Sequence, residues 1–131
     1  MTGLTVKLLA MIDALSVPDG GFSVDPVTGA DVRSGYAAAV HTECERVLDH
    51  PVAVGDLIAY VARYADVLTL PGSVLGGWRD PETGKVYLDV SVVVSDYSIA
   101  VALAREAGQL AIFDFAAMES VRIEYGARVA A

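Results

Sequence analysis

One cysteine, two histidines and one tryptophan occur in 131 residues, and each scarcity closes a route. Cys44 alone cannot form an internal disulfide, which fits a reducing, cytoplasmic setting. His41 and His50 lack a His-x-x-x-His spacing and there is no second cysteine, so no metalloenzyme motif can be written and no cofactor is expected. Basic residues are scarce as well: 9 Lys and Arg stand against 17 Asp and Glu, a net charge of −8. The deficit is spread along the chain, with 3 basic and 7 acidic residues over positions 1–50 and 6 and 10 over 51–131. No basic patch exists to neutralise phosphates, so direct nucleic-acid binding is not expected. Long apolar runs are missing too. None approaches the roughly 18 to 20 residues of a membrane span, and Lys7 and Asp13 interrupt the N-terminal stretch, which does not read as a secretory signal.

What the chain does have is apolar bulk. Hydrophobic residues make up 54% and the mean hydropathy is +0.49, high for a soluble monomer of one domain. Much of this is Ala and Val that fill a core. The rest predicts a buried subunit surface, because large exposed apolar patches are rare on monomers, and a homodimer is expected.

A phrase is also written twice. Residues 20–29 read Gly-Gly-Phe-Ser-Val-Asp-Pro-Val-Thr-Gly and residues 76–84 read Gly-Gly-Trp-Arg-Asp-Pro-Glu-Thr-Gly. Each copy has a Gly-Gly-aromatic opening and an Asp-Pro-x-Thr-Gly turn, in which Asp accepts backbone N–H groups, Pro sets φ and Gly takes the left-handed conformation. The expected plan is one α+β domain over 1–131. It has an N-terminal helix (1–16), a first hairpin–helix unit (20–70), and a second such unit with final strands (73–125). The sheet is largely antiparallel, of five to six strands built from hairpins, with helices on one face.

Within that plan, Leu8, Leu9, Ile12 and Leu15 mark the buried side of the first helix. Phe22–Val24 reads as a strand returning near Tyr36–His41, whose three alanines are a weak strand signal that leaves a helix open, and Thr42–Leu48 reads as one or two helical turns. Val54, Leu57, Ile58, Val61, Ala65 and Leu68 form the stripe of a longer helix. Val86, Leu88, Val90, Val92 and Val94 alternate with Lys85, Tyr87, Asp89 and Ser91, so Lys85–Val94 reads as a strand with one face on the core. Ser95 or Asp96 caps a helix ending at Gly108. Gln109–Phe115 reads as an interior strand, and Val121, Ile123 and Tyr125 as a final one.

Reactive residue types cluster at His41-Thr42-Glu43-Cys44-Glu45, but local structure explains them: the acids form a wet face and Cys44 a small buried hydrophobe. Asp25, Asp80 and Glu82 are accounted for by turn chemistry. Trp78 and Arg79 are the candidate partner contacts, both being types enriched at interface hot spots. Asp89 and Asp114 stand in strands, where Asp is disfavoured, and with Tyr87 they form the candidate pocket.

Residues 76–91 (Gly-Gly-Trp-Arg-Asp-Pro-Glu-Thr-Gly-Lys-Val-Tyr-Leu-Asp-Val-Ser) and 108–114 (Gly-Gln-Leu-Ala-Ile-Phe-Asp), with 21–29 and Ser34-Gly35-Tyr36, resemble small orphan proteins of actinobacteria and their phages. The resemblance covers about residues 20–115. It implies a phage or mobile-element context and no activity. The expected function is that of a non-enzymatic interaction or accessory protein with an unknown protein partner. The alternatives are a small hydrolase or ligand-binding protein using Tyr87, Asp89 and Asp114, and an acidic DNA mimic.

Overall fold

A computed structural model describes residues 2–123; Glu124, Tyr125 and the tail expected to follow them lie outside the described residues. Helix α1 (Thr2–Leu15) buries Leu4, Leu8, Met11 and Leu15 and leaves Leu9 71% exposed. The expected stripe through Leu9 is therefore rotated. Apolar residues occur all round this helix, so periodicity alone does not choose the buried side.

Strand β1 (Gly21–Val24) leads into the first turn, and β2 (Tyr36–Ala38) follows. A single 3₁₀ turn (Thr42–Cys44) precedes β3 (Arg46–Leu48), where helical turns were expected. Arg46, Val47 and Leu48 align instead with Leu88, Tyr87 and Val86, because ladder bonds to a waiting strand outweigh a short helix that has little nucleation to gain. Helices α2 (Val54–Arg63) and α3 (Ala65–Leu68) come next. They are parted at Tyr64, whose φ of −110° and ψ of 24° break the single helix expected there. Leu57, Tyr60 and Val61 are buried on α2, whereas Ile58 is 54% exposed. The Ala53 N–H donates to Asp56 Oδ2 at 2.8 Å, closing the start of α2.

Strands β4 (Ser73–Arg79) and β5 (Val86–Val94) form the long hairpin, followed by α4 (Tyr97–Glu106), β6 (Ala111–Asp114) and β7 (Glu119–Arg122). Of the two expected caps Asp96 serves, its Oδ1 accepting the Ile99 N–H at 3.1 Å. All strand pairs are antiparallel, in the order β1-β4-β5-β2-β6-β7, with β3 also on β5. The protein is thus α+β, a curled antiparallel sheet with its helices on one side.

The two copies of the repeated phrase make the same turn. Asp25 N–H donates to Ala30 O and Gly29 N–H to Asp25 O, both at 2.8 Å; Asp80 N–H donates to Lys85 O at 2.9 Å and Gly84 N–H to Asp80 O at 2.8 Å. Gly29 and Gly84 close the loops with φ of 76° and 75°. The arms behave differently. The second copy returns directly as β5. The first makes only the Val24–Asp31 bridge before the chain crosses to β2, which pairs with β5 and β6. The expected first hairpin is replaced by a pairing of the phrases themselves: Gly21 lies opposite Trp78, Phe22 opposite Gly77 and Ser23 opposite Gly76.

Two apolar clusters lie on the helical side. α1, α2 and α3 cover Val24, Leu75, Val86, Leu88 and Val90, while α4 covers Ala38 and Ile112 with Ala100 and Ala104. The alanines of β2, a weak strand signal, let α4 approach closely: Ala38, Ala100 and Ala104 are all fully buried. The alternate residues of the same strands face the opposite side, where the sheet curls into an open trough.

Candidate functional site: an acidic, aromatic trough

The hairpin turn determines what stands in the trough. Counting outward from the Asp80–Lys85 bond places Trp78 opposite Tyr87 and Gly76 opposite Asp89. The Trp78 and Tyr87 rings lie 5.8 Å apart at 36°. The Trp78 indole N–H donates to Asp19 Oδ1 at 2.7 Å, so one edge of the ring is held while the side chain stays 42% exposed. Asp19 adopts φ 64°, a conformation that Asp tolerates better than most residues.

The paired glycines have separate tasks. A Cβ on Gly77 would collide with the Phe22 ring on the helical side. A Cβ on Gly76 would stand 2.5 Å from Asp89 Oδ1 on the trough side. Gly76 thus leaves the Asp89 carboxyl a place on the trough wall. β3 pairs with Val86–Leu88 and β2 with Val92–Val94, so Asp89 also stands at the gap between them. Burial, with Glu45 adding like charge, raises its pKa to about 6. A carboxyl so placed changes charge near neutral pH.

The trough encloses about 1250 Å³ and is open to solvent. Tyr87, Trp78 and Asp89 line it together, with Phe113 on the far wall. Asp114 takes no part. β2 lies between β5 and β6, Asp114 alternates with Phe113, and its Oδ1 accepts the Ala116 and Ala117 N–H groups at 3.0 and 3.2 Å. That carboxylate shapes the β6–β7 turn. Arg79 points to the opposite face from Trp78, and its guanidinium donates to Ser16 O at 2.9 Å, tying β4 to the end of α1.

The His41–Cys44 segment forms a small cluster next to Glu45. Cys44 is 1% exposed, and burial followed by the neighbouring Glu43 raises its thiol pKa. A protonated thiol in the core is a poor nucleophile. Tyr60 donates to Cys44 O at 2.6 Å, anchoring the 3₁₀ turn beneath α2. Among the described residues no group of three or more His, Cys, Asp and Glu side chains is placed to hold a metal ion, and no helix is long and apolar enough to cross a membrane.

Sequence reasoning missed Glu45, Asp19 and Gly76 as parts of the site. Gly76 was within reach of it, since the register set by the turn puts it opposite Asp89. Asp19 and Glu45 were not, because their proximity depends on β1–β4 and β3–β5 pairing between distant segments. Comparison of the chain with protein-family models, with curated proteins and with solved structures finds no match.

Proposed function

We propose that this is a non-enzymatic interaction protein whose binding surface is the open face of the curled sheet. The observation that carries the reading is the convergence of Trp78, Tyr87 and Asp89 in one solvent-open trough. An exposed aromatic pair with one edge pinned is a pre-ordered contact surface, of the type that supplies binding energy at protein interfaces. Among the described residues no second proton-transfer group is hydrogen-bonded to Asp89, and the Cys44 thiol is buried with its pKa raised. Both facts favour binding over acid–base or nucleophilic chemistry. The phage or mobile-element setting rests on the resemblance of residues 76–91 and 108–114 alone.

The test is affinity capture from the native host with wild-type protein and Trp78→Ala side by side. A partner retained by the wild type and lost from the variant is the expected result. A partner retained equally by both would sink the assignment of this face.

Self-association is a second part of the reading. On α1, Val6 is 84% and Leu9 71% exposed, an apolar strip on the outer side of the helix that supports a homodimer. Light scattering at micromolar concentration should return the dimer mass; a monomer mass refutes this.

A further inference from the structure

The charge and shape of the trough narrow what it can hold. Five carboxylates line it (Asp19, Asp31, Glu45, Asp89 and Glu119) against a single guanidinium, that of Arg33. Arg33 and Lys7 both pair with Asp31, at 3.5 and 3.1 Å, and Asp19 is engaged by Trp78. Glu45, Asp89 and Glu119 remain uncompensated by any ion pair among the described residues. At about 1250 Å³ the trough exceeds the roughly 300–1,000 Å³ typical of small-molecule pockets, and it is open rather than enclosed. Asp89 lies on its wall beside the Trp78–Tyr87 pair, opposite a strand position that carries no side chain.

We infer that the trough takes an extended, lysine- or arginine-bearing segment of a partner protein, with Asp89 receiving one cationic side chain alongside the Trp78 and Tyr87 rings. The inference rests on the open sheet face being the binding surface. Each part of the site favours such a group. The missing side chain at Gly76 leaves a lane to the carboxylate. The ring faces attract a cation travelling along it. A positive charge arriving there offsets both influences that disfavour Asp89 ionisation, burial and the charge of Glu45. The spread of acids along the lining suits several cationic side chains on one chain better than a compact ligand. The partly desolvated setting makes one charge-assisted hydrogen bond worth more than it would be on an open surface.

A random dodecapeptide library displayed on phage can be selected against the immobilised full chain. Selected peptides are then synthesised and titrated while Trp78 emission is followed; Trp78 is the only tryptophan and so reports the trough directly. The expected result is enrichment of Lys and Arg, a saturable change in Trp78 emission, and affinity that falls about tenfold or more in Asp89→Asn. That variant should keep or raise its melting temperature, which separates lost binding from lost folding. The inference is overturned by selected peptides without Lys or Arg enrichment, by binding that survives Asp89→Asn, or by spermidine alone saturating the Trp78 response as well as the peptides do. An empty selection also overturns it. A host partner that depends on Trp78 but is indifferent to Asp89→Asn would refute the cationic occupant and leave the open-face reading standing.

Discussion

At Asp89 a carboxyl is held where its charged form is disfavoured, and the effect on stability has a definite sign. Its pKa is about 6 in the folded protein against 3.8 for an ordinary Asp. Below about pH 3 both folded and unfolded chains carry the proton and there is no penalty. Between about pH 3 and 6 the unfolded chain ionises first, and stability falls as pH rises. Above pH 6 nearly the full cost is present, on the order of 3 kcal/mol. Asp89→Asn should therefore be more stable than wild type by about that amount at pH 7.5. The gain should vanish near pH 3 in urea unfolding over a pH series; a gain independent of pH would contradict this account. Gly77 makes a steric prediction. Gly77→Ala meets the Phe22 ring and should cost about 1–3 kcal/mol by overpacking. Combining it with Phe22→Ala should be less than additive in a double-mutant cycle.

Among the elements, the two turns are the sharpest comparison. Asp25 Oδ1 accepts two backbone N–H groups, from Val27 and Thr28 at 2.8 and 2.9 Å, whereas Asp80 Oδ1 accepts one, from Glu82 at 2.8 Å. The Thr28 N–H is the main cause of the lowered Asp25 pKa. Stability from this carboxylate is present above the ordinary Asp range and is lost as pH falls through its lowered value. The hydrogen bonds to both carboxylates are exposed, so each Asp→Ala change should cost only about 1 kcal/mol. Asp25→Ala should be the more damaging of the two in denaturant midpoints, and the reverse order would argue against bond count as the cause. The turns were legible because their chemistry is local. So was the β4–β5 hairpin, whose expected alternation holds at the buried Val86, Leu88 and Val90 and weakens at the partly buried Val92 and Val94. Elements chosen by distant partners were less legible. Arg46–Leu48 has no strong strand signal and becomes one only because β5 offers an open edge. The buried side of α1 follows from its packing on β1 and β4, not from its own apolar pattern.

Over the whole molecule one sheet carries two apolar clusters, joined through β5 and β2. Such a sheet should unfold as a unit. Ile112→Ala, in the cluster under α4, should lower stability by about 2–5 kcal/mol. It should shift the Trp78 fluorescence transition and the far-ultraviolet dichroism transition together. Trp78 lies on the opposite face and in another strand pair, so separate midpoints would show that the two clusters fold independently.

The sequence by itself determined the class of fold, the repeated turn, the long hairpin and the candidacy of Trp78, Tyr87 and Asp89. All of these depend on neighbours or on a register counted from one turn, and short-range geometry is written in short-range sequence. Only the tertiary structure decided that the two phrases pair with each other, that β2 separates Asp114 from Asp89, that Arg79 serves α1, and that Asp19 and Glu45 join the trough. Those placements follow from strand pairings across tens of residues. Such pairings are selected by which sheet edge remains open and which faces can be buried together, conditions that no local run of residues encodes.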